Sequence, residues 1–264
     1  MMKLIDTHAH LYLEDFDEDR EACFHRAREA GLTDVYLPNI DVDSIDRVLQ
    51  LEQEAPDFYH AMMGLHPCSV GDDWEDQLEV IENWLERRSF CAVGEIGMDL
   101  YWDATYKDQQ IMAFRRQANW AKSLDLPIVI HNRDATEDLL ELVREEQDGR
   151  LSGIFHCFTG TVEEGKAMID LDFYLGIGGI LTFKNSDLEK VISELPLERM
   201  VLETDAPYLA PEPKRGNRNE SAYLPYINMA IAEAKNLSPE EVAEVTSRNA
   251  AKVYRKRERS SAGD

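Results

Sequence analysis

Short apolar or β-branched runs alternate with longer amphipathic stretches from one end of the chain to the other, and that alternation leaves few folds open. It is the pattern of repeated β-α units around a parallel sheet. Eight strands are expected near Leu4–Thr7, Asp34–Pro38, Tyr59–Gly64, Phe90–Gly94, Pro127–Ile130, Gly153–Phe155, Phe173–Ile177 and Met200–Thr204, each short, as buried parallel strands usually are. Between them Arg20–Ala30, Trp74–Arg87, Lys107–Ser123, Thr136–Glu146 and Val162–Leu171 place apolar residues three and four apart with Asp and Glu opposite, the signature of outer helices. The longest loop is expected around Pro211, Pro213 and Gly216, followed by helices at Tyr223–Lys235 and Pro239–Tyr254. Ser238 before Pro239 provides an N-cap with proline at the first helical position.

A chain of 264 residues fits one such barrel, since (β/α)8 domains typically run to roughly 250 residues. The expectation is an α/β fold: a single (β/α)8 TIM barrel over residues 1–254, with a polar, frayed tail at 255–264. Residues Met1–His8 contain no apolar stretch suited to a signal peptide, and no later run approaches the roughly 20 apolar residues of a membrane helix. A cytoplasmic protein with no membrane partner and no obligate protein partner is expected. Cys23, Cys68, Cys91 and Cys157 are widely separated, which favours reduced thiols over disulfides or a structural zinc. The net charge of -24 argues against a nucleic-acid partner, because phosphate binding relies on Lys and Arg. That objection weakens if divalent cations and a local basic patch meet the phosphate while the acidic excess lies on the outer helices.

Polar residues converge on one end of the expected barrel. His8 and His10 stand two apart at the end of the first strand, so their side chains leave the same face, which in a barrel can be the interior. A His-x-His pair alone is as often two hydrogen-bonded structural histidines. Here, however, His66, Glu95, His131, His156 and Asp205 each fall at or just beyond the carboxyl end of an expected strand, so five of the seven histidines point at one mouth. Barrel active sites draw on several strand ends in this way. Imidazoles with carboxylates suit Zn, Mn, Fe or Mg, and a carboxylate can bridge two such ions. His25, on a helix, and His60, at the start of a strand, are assigned to structure, and Cys68 to packing.

The motifs resemble the TatD family of metal-dependent deoxyribonucleases within the amidohydrolase superfamily. They are Asp6–His10, Gly64–Pro67, Val93–Gly97, Leu126–Asp134, His156–Gly160, Gly176–Gly179 and Glu203–Pro211, in family order over about residues 4–254. Asp99-Leu100-Tyr101 stands where Asp-Tyr-Tyr is more usual. The resemblance implies two divalent metal ions (Mg, Mn or Zn), the first held by His8, His10, Glu95 and Asp205 and the second by Glu95, His131 and His156, with Glu95 as the bridge. It implies His66 at the scissile phosphate, Asp205 as the base that deprotonates the attacking water, and DNA as substrate, in single strands or at 3′ ends. The segment Lys214–Glu220 is similar to a family Arg-Gly-x-x-Asn-Glu run, so Arg215 or Arg218 would grip a phosphate, as would Arg133. The alternative for these arginines is pairing with local carboxylates such as Glu212 and Glu220. D-aminoacyl-tRNA deacylation and amidohydrolase chemistry on a small C–N substrate are the rival activities. Many amidohydrolases bridge their metals with a carboxylated lysine where this chain has Glu95. A non-enzymatic metal-binding protein would require the whole ligand set to be idle. Arg255-Lys256-Arg257 need only a helix C-terminus to explain them.

Overall fold

A computed structural model describes residues 2–254. The expected polar tail, with Arg255-Lys256-Arg257, lies outside the described residues. In chain order the elements are β1 (Leu4–Asp6), α1 (Arg20–Glu29), β2 (Leu32–Leu37), α2 (Ile45–Glu54), β3 (Tyr59–Ala61), α3 (Trp74–Arg87), β4 (Val93–Asp99) and α4 (Lys107–Leu124). They continue with β5 (Ile128–Arg133), α5 (Thr136–Glu146), β6 (Gly153–Phe155), α6 (Val162–Asp170), β7 (Phe173–Ile177), α7 (Leu188–Glu194), β8 (Met200–Leu202), α8 (Leu224–Lys235) and α9 (Pro239–Val253).

All strand pairings are parallel, in one ladder of β1-β2-β3 and a second of β4 through β8. Backbone hydrogen bonds just outside the named strands join the two ladders at both seams. Between β3 and β4, Cys91 N donates to Ala61 O (3.1 Å), Met63 N to Ala92 O (3.2 Å) and Gly94 N to Met63 O (3.1 Å). Between β8 and β1, Thr7 N donates to Leu202 O (2.9 Å), Asp205 N to His8 O (2.9 Å) and His10 N to Ala206 O (2.7 Å). The sheet thus closes into a barrel, which leaves no strand edge unpaired. The strands read as near-continuous apolar runs because helices cover their outer face and side chains fill the interior. No helix among the described residues is long and apolar enough to cross a membrane.

Two strands depart from expectation in a way that matters for the site. β4 begins at Val93 and runs to Asp99, and β5 runs to Arg133, so Glu95 and His131 lie within strands rather than beyond them. Gly97 makes this possible at the β4–β5 contact: its φ is +144°, and a Cβ there would sit 2.0 Å from the carbonyl oxygen of His131. The expected helices are present within a residue or so, with α2 and α7 completing the outer layer. Ser238 caps α9 by accepting from Glu241 N (3.2 Å), and Thr161 with Glu164 forms a capping box on α6. From the far end of the chain, Ser247 Oγ donates to Lys3 O (2.9 Å) and Tyr254 OH to Thr7 O (3.0 Å), which pins α9 across β1.

Candidate metal centre

Every residue expected at the mouth is brought there. His8 and His10 follow β1, held by the seam bonds above, and both rings are buried. His66 follows β3, its backbone N donating to Ile40 O (2.8 Å). His156 follows β6, with its N on Ile130 O (3.0 Å). Asp205, after β8, takes φ 55°, a left-handed conformation that Asp tolerates better than most residues, and this turns its carboxylate back toward the histidines.

Glu95 occupies the middle. Its Oε2 faces His8 Nε2 (3.1 Å) and His10 Nε2 (3.6 Å), while its Oε1 faces His131 Nδ1 (2.8 Å), His156 Nε2 (2.7 Å) and His66 Nε2 (3.3 Å). Asp205 Oδ1 lies 3.5 Å from His10 Nε2 and 3.8 Å from His8 Nε2. One buried carboxylate therefore divides its two oxygens between two groups of imidazoles, with a second carboxylate beside the first group. Burial raises the Glu95 pKa, but His156, His66 and His8 outweigh it and hold the carboxyl well below its usual range. Asp205 is likewise raised by burial and pulled lower overall by His10, His156 and His8. Both are anions.

The histidines differ in what holds their other nitrogen. His131 Nε2 faces Asp99 Oδ2 (2.9 Å), so Nδ1 is the nitrogen turned to Glu95; burial lowers the His131 pKa, and Asp99 with Glu95 reverses that. His10 Nδ1 meets Tyr12 OH (2.9 Å), leaving Nε2 toward the centre. His156 Nδ1 lies 3.5 Å from Glu203 Oε1 and is buried without a hydrogen-bond partner. Outer partners such as Asp99 on His131 and Tyr12 on His10 fix the tautomer and orientation of a ligating imidazole. His66 is the exception. Its Nδ1 accepts from Cys68 N (3.0 Å), so in the neutral ring the inward Nε2 carries the hydrogen, and burial keeps that ring neutral by lowering its pKa.

These residues fit divalent cations. His8 Nε2 and His10 Nε2 face each other at 3.2 Å with Glu95 Oε2 beside both, and the His156 ring stacks on His8 at 3.9 Å, so several ligand-type atoms crowd one buried spot. His8 Nδ1 and Glu203 Oε2 are buried without a hydrogen-bond partner. His8–His10–Glu95, His8–His156–Asp205 and His66–Glu95–His131 each bring ligand atoms within 4.8 Å of one another.

Three carboxylates escaped sequence reasoning. Asp99, whose pKa is raised by burial and brought down to about 2 chiefly by His131, was hidden in a strand expected to end earlier. Glu203 is fully buried, accepts from Cys157 N (2.5 Å), and fills space that any side chain at Gly176 would take, since a Cβ there would lie 2.1 Å from Glu203 Oε2. Its alternation with Asp205 was the available signal. Asp6 ties β1 to β8 by accepting from Thr204 N (2.9 Å), Thr204 Oγ1 (2.7 Å) and Ser221 Oγ (2.6 Å), and burial raises it to about 7.

The arginines divide. Arg218 pairs with Asp19 (2.7 and 2.9 Å) and more distantly with Glu220 (3.9 Å), donates to Asp15 O (2.6 Å) and stacks on Phe16, so it is committed to structure, through Asp19 and Glu220 rather than Glu212. Arg215 lies over Phe183 (3.6 Å) and Arg133 over Tyr101 (4.2 Å), on loops or strand ends at the mouth. His60 pairs with Asp34 (2.8 Å), and His25 lies exposed on α1, both away from the centre.

A family model described as TatD related DNase matches residues 5–255. A metal-dependent hydrolase of Bacillus subtilis (strain 168), named YabD and uncharacterized, is 41% identical over 253 residues, covering 96% of this chain and 99% of that protein. A protein of Rahnella sp. (strain Y9602) named 3′-5′ ssDNA/RNA exonuclease TatD is 34% identical, covering 90% of this chain and 93% of its own length. Among solved structures, the TatD homolog YjjV from Escherichia coli K12 superposes with a TM-score of 0.90 at 30% identity, covering 95% of this chain and 97% of that one.

Proposed function

The chain belongs to the TatD-related DNase family of metal-dependent hydrolases, and on that premise we propose that it hydrolyses phosphodiester bonds of DNA, in single strands or at 3′ ends, using two divalent ions. The observation that carries the reading is the division of Glu95: one oxygen toward His8 and His10, the other toward His131 and His156. Divalent ions held by these residues would supply a lowered pKa for water and neutralisation of the charge growing on phosphoryl oxygens. His8, His10, Glu95 and Asp205 would hold one, and Glu95, His131 and His156 the other. The similarity to a relative named for single-stranded DNA and RNA supports a nucleic-acid substrate.

The protein residues do the rest. Asp205, anionic and close to His8 and His10, accepts the proton of the attacking water. His66 cannot offer a lone pair from Nε2 while Nδ1 accepts from Cys68 N, so it donates that hydrogen to a non-bridging phosphate oxygen. Arg133 and Arg215 are the cations left at the rim for the phosphate chain.

The test strips the protein of metal, re-supplies Mg, Mn or Zn, and offers single-stranded DNA, duplex DNA, a dipeptide and D-aminoacyl-tRNA in parallel. Metal-dependent cleavage of the single strand is expected, with Asp205→Asn reducing turnover by about 10²-fold or more while the fold is retained. Cleavage confined to the dipeptide or the aminoacyl ester would overturn the reading, and normal turnover in Asp205→Asn would remove Asp205 as the base.

A further inference from the structure

The large apolar side chains open to solvent among the described residues fall into two sets. Val80, Met112, Leu124 and Met229 are scattered on the outer helices, as single exposed apolar residues commonly are. The aromatic ones, Tyr101, Trp102 and Tyr208, are 54%, 70% and 50% exposed, and all three stand on loops leaving the carboxyl ends of strands around the ligand cluster. Tyr101 and Trp102 follow β4 and Tyr208 follows β8, strands that lie across the closed ring from one another.

Each group is tied to the centre. Asp99, which holds His131 through Oδ2, uses Oδ1 to accept from the backbone N of Tyr101 (3.0 Å) and Trp102 (3.2 Å). The Arg133 guanidinium lies 4.2 Å from the Tyr101 ring and 5.4 Å from the Trp102 ring. On the opposite side, Tyr208 N donates to Asp205 O (2.8 Å), Asn219 Nδ2 donates to Tyr208 O (2.7 Å), and the Tyr208 ring stands edge-on to His10 at 6.1 Å. These rings are held in place by the same residues that hold the ligands, yet left uncovered. A protein of net charge -24 also needs a source of affinity for a polyanion that is not purely ionic, and base stacking on aromatic faces supplies one.

Resting on the phosphodiesterase reading above, we propose that Tyr101 with Trp102, and Tyr208, are base-stacking platforms on opposite sides of the metal centre, so that the site takes a strand whose bases are unpaired on both sides of the bond that is cut. A base inside a duplex has both faces covered and cannot use either platform. Arg133 extends the first platform as a cation beside the rings.

The experiment measures, by fluorescence anisotropy on the metal-loaded full chain, the binding of a labelled phosphorothioate-linked oligothymidylate and of the same backbone carrying abasic sugars. Hydrolysis of the phosphodiester versions is followed in parallel. Trp102→Ala and Tyr208→Ala are each expected to weaken binding of the base-bearing strand by about tenfold, the range of one lost stacking contact. The abasic strand should bind all proteins alike, and Trp102→Phe and Tyr208→Phe should restore most of the loss. Unchanged affinity in both alanine variants, equal loss on the abasic strand, or no binding of the base-bearing strand would each overturn the platforms. Base-dependent binding without cleavage in any metal would instead overturn the hydrolysis of DNA and leave the platforms standing.

Discussion

Glu95 is fully buried among five imidazoles, and that position makes its removal unlike that of any other ligand. Glu95→Ala should lose both ions, read as metal content per chain, whereas His25→Ala and His60→Ala should keep theirs, because His25 is exposed on α1 and His60 is engaged with Asp34. Retention of both ions by Glu95→Ala would end its bridging role. His66 separates ligation from donation. His66→Ala should cut turnover by about 10²-fold, the usual effect of removing one transition-state hydrogen-bond donor, with bound metal unchanged; a parallel fall in metal would make His66 a ligand. The residues that motifs could announce were those spaced two apart or set at strand ends, such as His8, His10 and Asp205. What they could not announce was partnership across the mouth. Nothing local in Asp6 points to Ser221, 215 residues away, and nothing in Arg218 points to Asp19, which it meets more closely than the expected Glu220.

Among the elements, β4 shows why strand limits were harder to read than strand existence. Phe90–Gly94 is the apolar stretch, and Cys91 to Gly94 do bond toward β3, but the ladder to β5 uses Val93 to Asp99. Barrel strands tilt and stagger, so one strand serves its two neighbours with different residues, and in the second half here Glu95, Gly97 and Asp99 interrupt the apolar Ile96 and Met98. Most helices were legible from an apolar stripe that ran for several turns, but α2 was not read although Ile45, Val48, Leu49 and Leu51 carry the same pattern. α7, at seven residues, gives too few repeats of the period to stand out. Caps were legible as well, because they are local. Ser238→Ala should lower stability by about 1 kcal/mol through loss of the bond to Glu241 N, seen as a fall in Tm of a few degrees, while KM is unchanged. A changed KM would mean that α9 influences the mouth through Tyr254 and Thr7.

For the whole molecule, the question is how 52 acidic residues would coexist with the polyanionic substrate proposed above. If the rim cations Arg133 and Arg215 set the local field, KM for a short single-stranded oligonucleotide should rise with monovalent salt at fixed divalent metal, and less steeply in Arg215→Ala. A KM that falls with salt and ignores that substitution would show that the net charge governs capture. Arg218→Ala, by contrast, should act on stability, since it removes one of the two guanidinium partners of Asp19 and leaves Arg26 alone with it. The β8–β1 seam carries one more consequence. His8 and His10 are made long before Asp205 and the strand that seats it, and Tyr254 is made later still. A nascent chain thus exposes a pair of histidines long before it owns a binding site. The cluster is complete only once β8 has docked on β1, so any ion it holds would add its binding energy to that finished state alone.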